Sequence, residues 1–271
     1  MTVSRPWRIA LRTVGLVYLA GLLLVPVGVV FYRTFEHGVG AVWDSITTPA
    51  AISAFTLTLE VTAIAVPLNA IFGIVMALAL VRGRFRGKGL LNALIDLPFA
   101  ISPVVIGLSL VLVYGVHGWF GGALADAGIQ VIFAVPGIVL ATIFVSLPFV
   151  VREVAPVLRE IGDEQEQAAA TLGANGWQSF WRITLPSIRW GLIYGVVLSV
   201  ARAIGEFGAV SVVSGQISGQ TQTLTLLVQK RYTNFDLSGA YAASALLAVI
   251  ALLTLLAMTL INPRREEEDR A

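Results

Sequence analysis

Arg202 and Glu206 stand four residues apart inside a long apolar stretch of a 271-residue chain. On a helix this spacing puts both on one face, so the two charges can pair. A charge among hydrocarbon is expensive and faces protein or a water-filled path. The first reading is a neutralised pair that locks a helical bundle. The second is that Arg202 lines a path and attracts a dianion, an attraction Glu206 would oppose. The other groups that could do chemistry lead nowhere catalytic. "GRFRGKG" (83–89) has only three residues between Gly83 and Gly87, too few for a phosphate loop, so it reads as a basic turn. His37 and His117 lie about eighty residues apart in separate connections, and no Ser-His-Asp set or metal site can be assembled from them. There is no cysteine, hence no thiolate ligand, thiol nucleophile or disulfide. Asp96 falls about 9 Å into an apolar stretch and is expected to meet the basic 82–88 turn. No catalytic residue, metal ligand or bound cofactor is assigned to this chain.

The elements that must position these residues are membrane spans. Only 13% of residues are charged, against about 25% in an average soluble domain, too few to clothe a core of this size. Six apolar stretches have roughly the length needed to cross a bilayer: about 13–31, 53–80, 90–115, 129–150, 188–213 and 238–262. They are continuous and do not alternate with period two, so they read as helices and not barrel strands. The expected class is an all-α integral membrane protein with six transmembrane helices. The first stretch, although preceded by basic residues, is too long for a signal-peptide core and reads as an uncleaved membrane helix. Residues 1–52 comprise the N-terminal end, the first helix and an outer loop; 53–262 form the main domain; "REEED" belongs to a charged tail at 263–271.

Charge sets the orientation. Lys and Arg cluster at residues 5–12, 82–88, 152–189 and 264–270, whereas the opposite connections hold only Arg33, Lys230 and Arg231. By the positive-inside rule both termini and the 151–187 segment are cytoplasmic.

That segment is the polar exception in a greasy chain: "EQAAATLGANGWQSFWRITLP", residues 166–186. Asp163 can cap a helix, with Glu166 as its capping-box partner. Ala168, Ala169 and Ala170 favour helix and occupy little space. Gly173 can end the helix in the left-handed conformation. Trp177, Phe180, Trp181 and Thr184 then recur at helical spacing, predicting a second short helix at the headgroup level that Pro186 breaks before the fifth span.

The spacing Gln167-Ala168-Ala169, then Gly173, then Ile183-Thr184-Leu185-Pro186 resembles the EAA signature of binding-protein-dependent ABC importer permeases. The family usually has Glu where this chain has Gln167, and Glu166 stands about 100° around the helix from it. "IDLPFAISPVVIGL" (95–108), "RITLPSIRWGLIYGVVLS" (182–199) and "ARAIGEFGAVSVVSG" (201–215) narrow the likeness to sulfate/thiosulfate importer permeases of the CysW type. The resemblance implies a type I importer permease of MetI-like fold in the inner membrane. It implies that Glu166, Gln167, Ala168, Ala169, Leu172 and Gly173 meet a cytoplasmic ATPase. Trp177, Phe180, Trp181, Ile183, Leu185 and Pro186 would anchor that coupling segment. It further implies a second permease, an ATPase dimer that binds ATP and Mg, and an extracytoplasmic sulfate/thiosulfate-binding protein as partners, with no nucleic acid. Rival expectations are a permease for molybdate or another oxyanion, a secondary transporter driven by an ion gradient, and a membrane anchor without transport.

Overall fold

The computed structural model describes residues 5–261; the charged tail expected at 263–271 lies outside them. Every regular element among the described residues is helical. In chain order they are α1 (Arg5–Phe35), α2 (Gly38–Ile46), α3 (Pro49–Val81), α4 (Lys88–Ala100), α5 (Pro103–Tyr114), α6 (Gly121–Asp126), α7 (Val135–Ile161), α8 (Glu164–Thr171), α9 (Gly176–Ser179), a π-helical turn (Phe180–Thr184), α10 (Leu185–Ile204), α11 (Gly208–Val213), α12 (Leu224–Thr233) and α13 (Leu237–Ile261).

Five stretches are long and apolar enough to cross a membrane: Ala10–Phe35, Pro49–Val81, Val135–Ile161, Gly176–Ile204 and Leu237–Thr254. The pair α4 and α5 meets the same test only when taken together, with a bend of 112° at the break between them. A single helix over 90–115 was the expectation. The break comes from Pro103, whose ring pushes the residue before it out of the α region. Ser102 (φ −58°, ψ 134°) and Ile101 (φ −103°, ψ 138°) are both extended.

Other boundaries also move. The fourth span starts at Val135 and runs on to Ile161, so the first part of 151–187 is membrane helix and not a separate polar segment. The fifth span begins at Gly176 and ends at Ile204; residues 205–207 interrupt it before α11. The expected break at Pro186 does not occur. Pro186 lacks an N–H and its ring crowds the carbonyl four residues back. The chain widens into the π turn just before it, where the Leu185 amide reaches the Phe180 carbonyl, and the helix continues.

The centre of the bundle is α7, which packs against α3 and α10 along most of its length. Its contacts fall into two apolar clusters. One joins Ala77, Leu80, Ile95, Val150, Val154, Leu158 and Ile188 at the end where α8 lies. The other joins Leu57, Val61, Ile106, Ile138, Val145, Val210 and Leu226 at the far end. Small residues let α10 approach: Gly191, Gly195, Ser199 and Ala203 are all buried. A Cβ on Gly195 would stand 2.9 Å from Val150 Cα, so nothing larger than glycine fits there. Between α3 and α7, the fully buried Asn69 donates to Ser146 Oγ (2.8 Å) and to the Ile143 carbonyl (3.2 Å). By contrast, the apolar window of α1 is not buried at all.

Candidate functional site

α8 is short, polar and held from behind. Its eight residues carry Glu166, Gln167, Ala168 and Ala169. The capping box expected of Asp163 and Glu166 is not formed; Asp163 stands at the N-cap, but its side chain caps nothing. Glu166 instead turns inward to Arg82, the residue that closes α3. Arg82 Nε donates to Glu166 Oε2 (3.0 Å) and Nη2 to Oε1 (3.4 Å). The same guanidinium donates from Nη1 to the Leu158 carbonyl (3.1 Å) and from Nη2 to the Gly162 carbonyl, satisfying acceptors at the end of α7. Thr184, in the π turn, donates its hydroxyl to Glu166 Oε1 (2.8 Å). One arginine and one glutamate therefore join α3, α7, α8 and the start of α10.

With Glu166 engaged, the outer surface of α8 falls to its neighbours. Gln167, Ala168, Leu172 and Gly173 are exposed, and Ala169 is half-buried. Leu172 is 89% exposed, an unusual position for a leucine beside a polar helix. Gly173 has φ +86°. Its amide reaches the Ala170 carbonyl (3.0 Å) and that of Ala174 reaches Ala169 (3.0 Å), a Schellman ending as the sequence led us to expect.

The chain then re-enters helix through a capping box that the sequence reading missed. Asn175 accepts from the Gln178 amide (2.9 Å), and Gln178 Oε1 accepts from the Asn175 amide (3.0 Å). Trp177, Phe180 and Trp181 pack ring on ring, with centroids 5.5–6.2 Å apart. Trp177 and Trp181 stay exposed, whereas Ile183 and Leu185 are half-buried and Pro186 is exposed. A cavity of about 340 Å³ separates the two arms, lined by Glu166, Ala170, Ala174, Phe180 and Thr184.

Of the charges inside the spans, Asp96 finds a partner that sequence spacing could not reveal, and Arg202 the one it did. Asp96 does not meet the 82–88 turn. It pairs with Arg152 on α7, which donates from Nε to Oδ1 (2.7 Å) and from Nη2 to Oδ2. Arg202 and Glu206 do pair, with Nη1 2.6 Å from Oε2, but unequally: 30% of the Arg202 side chain is exposed, against 2% of Glu206. Glu206 lies past the end of α10, and its Oε1 accepts from the Ala209 amide (2.8 Å) at the start of α11. Glu60 is exposed on α3. His37 precedes α2, His117 sits in the 115–120 connection, and no group of three potential metal ligands occurs among the described residues.

The profile of the family described as "Binding-protein-dependent transport system inner membrane component" matches residues 69–267. The chain is 50% identical over 262 residues to the sulfate transport system permease protein CysW of Synechococcus elongatus, covering 97% of this chain and 92% of that one. It is 39% identical over 250 residues to the sulfate transport system permease protein CysT of Escherichia coli K12, covering 92% and 90%. Among solved structures, a chain of a bacterial alginate ABC transporter in complex with an alginate pentasaccharide-bound periplasmic protein superposes with a TM-score of 0.77. It is 18% identical and the match covers 96% of this chain and 95% of that one, which shows a shared fold.

Proposed function

Because the chain belongs to the family of binding-protein-dependent transport system inner membrane components, we propose that it is the sulfate-translocating permease subunit of an ATP-driven importer. The observation that carries this reading is the tethered α8, a polar helix held from inside by Arg82 and Thr184 while its other face stays open. Sulfate as cargo rests on the likeness to CysW along nearly the whole chain, closer than to CysT. The molybdate alternative receives no comparable support.

In this reading the chain pairs with a second, related permease, as the existence of both CysW and CysT relatives suggests. The α8 end faces the cytoplasm, both termini lie there, and an ATPase dimer docks on Gln167, Ala168, Leu172 and Gly173. ATP and Mg belong to that ATPase. An extracytoplasmic binding protein delivers sulfate or thiosulfate to the far end. Closure of the ATPase pulls α8, and the Arg82–Glu166–Thr184 junction passes the pull to α3, α7 and α10 together. A helix linked only by flexible loops would move without dragging the spans. The bundle would then alternate between inward- and outward-facing forms.

The test is uptake of radiolabelled sulfate by cells lacking this chain and by the same cells carrying it, with unlabelled thiosulfate and molybdate as competitors. Restored sulfate uptake, competed by sulfate or thiosulfate and not by molybdate, is expected. Restoration of molybdate uptake alone would replace the cargo, and uptake independent of any ATPase would remove the importer reading.

A further inference from the structure

Two stretches that carried the resemblance, 95–108 and 201–215, fold into two helix breaks that touch. The break between α4 and α5 lies at Ile101–Ser102, and that between α10 and α11 at Gly205–Phe207. A Cβ on Gly208 would stand 2.8 Å from Pro103 Cβ and 3.5 Å from the Val104 amide nitrogen. Gly107 meets Ala209 just as closely, its notional Cβ 2.8 Å from the Ala209 carbonyl oxygen. The two breaks are thus one locus, about 30 Å along the helix from Thr184; Thr225, which donates to the Glu206 carbonyl, follows Leu224, whose amide donates to Thr58 within the α3 span.

Donors outnumber acceptors there. Arg202 presents five N–H groups. Its one polar partner among the described residues is Glu206, in an ion pair whose angle is not that of a hydrogen bond. Glu206 is buried: its Oε1 accepts from the Ala209 amide, its Oε2 faces Arg202, and its backbone carbonyl accepts from Thr225 Oγ1 (2.7 Å). Arg202 is thereby held and left partly open. Ser102 is exposed at the N-cap of α5 and its hydroxyl caps nothing. The amides of Val104 and Val105, in the first turn of this twelve-residue helix, have no acceptor among the described residues. One turn back along α10, the Ser199 hydroxyl is fully buried and also without a partner. Broken helices in transporters use such half-helix starts to hold anionic groups.

We propose that this locus is a transient subsite for a tetrahedral oxydianion on its way through the membrane, with Arg202 and Ser102 as its side-chain ligands. Glu206 is a positioning residue: it fixes Arg202 and lowers its net attraction, so the dianion is held loosely enough to leave. Of the two readings of the Arg202–Glu206 pair, the unequal exposure favours the path-lining one. The inference rests on the importer reading above, but not on sulfate as the cargo.

The test uses the assembled transporter in proteoliposomes with binding protein and ATP, and whichever oxyanion the unaltered complex imports. Arg202→Gln combined with Glu206→Gln removes both charges and keeps an amide oxygen for the Ala209 cap. Subunit co-purification and binding-protein-stimulated ATP hydrolysis are expected to stay within about twofold, while anion imported per ATP falls at least tenfold. Ser102→Ala alone is expected to lower that ratio several-fold. Uptake by the double variant within twofold of the unaltered complex overturns the subsite and leaves the pair as a structural lock. Import of molybdate and not sulfate by the unaltered complex sinks the cargo assignment, and the subsite is then judged on molybdate. If the double variant fails to assemble, Arg202→Lys with Glu206 intact takes its place, and unchanged transport per ATP overturns the proposal.

Discussion

Arg82 and Glu166 are 84 residues apart in sequence and two hydrogen bonds apart in space. With about a quarter of each side chain exposed, the pair is shielded enough to matter but not sealed from water. Arg82 also satisfies two carbonyls at the end of α7, and bonds from a charged donor contribute about 1.5–3 kcal/mol each. Lysine cannot replace it, because one ammonium cannot serve Glu166 and two carbonyls with the planar fork that guanidinium provides. Arg82→Lys is therefore expected to keep the subunit in the membrane and bound to its ATPase. Anion imported per ATP hydrolysed should fall at least tenfold, because α8 would move without its spans. Unchanged import per ATP in a well-assembled variant would show that the junction does not transmit the pull.

Gly173 tests the other side of α8. A side chain there would meet nothing within 4 Å, so steric clash inside the chain is not the difficulty. The difficulty is φ +86°, which costs an L-residue about 1–2 kcal/mol. Gly173→Leu should weaken the Schellman ending and place a bulky group on the exposed face proposed to meet the ATPase. Membrane levels by immunoblot should change little, while uptake should fall strongly. Uptake equal to that of the unaltered chain would argue against docking at this position.

Arg152 and Asp96 offer a stability measurement apart from transport. Arg152 lies about 14 Å from the α8 end of α7, and the pair joins α7 to α4. Both side chains are about a third or more exposed, so the discounted contribution is about 1 kcal/mol or less. Asp96→Ala leaves a cation beside hydrocarbon and should lower the detergent-melting temperature of the purified complex. Asp96→Asn with Arg152→Gln should recover most of that loss. A double variant no better than either single one would mean that the charges act independently.

What could be read from the sequence followed its periodicities. Continuous apolar runs announce spanning helices, and "AAATLGAN" announces a helix that ends at a glycine; both are local signals. Gly191, Gly195, Ser199 and Ala203, spaced four apart, are a local signal of the same kind, and all four are buried. The breaks were harder. Pro103 and Pro186 have the same chemistry, yet one ends a helix and the other is absorbed by a π turn, because the outcome depends on what the freed carbonyls meet. Partners were hardest of all. Asp96 to Arg152 spans 56 residues and Arg82 to Glu166 spans 84, and no pattern in a single sequence joins them. Glu166 looked like half of a capping box because its spacing from Asp163 fits one. A guanidinium and a threonine hydroxyl offered it better bonds.

Orientation remains the premise of the coupling argument, and the absence of cysteine makes it directly measurable. Arg84 lies exposed in the turn after α3, at the same end as α8. His117 lies exposed in the connection after α5, at the far end. Replacing either with cysteine disturbs no hydrogen bond or ion pair among the described residues. By the positive-inside rule the basic clusters at 82–88 and 152–189 predict that the α8 end faces the cytoplasm. A membrane-impermeant maleimide should therefore label His117→Cys in intact spheroplasts and Arg84→Cys only after lysis. The α8 surface can meet an ATPase only if Arg84→Cys is shielded in this way. Labelling of Arg84→Cys from outside would invert the chain and remove the docking role of Gln167, Leu172 and Gly173 together.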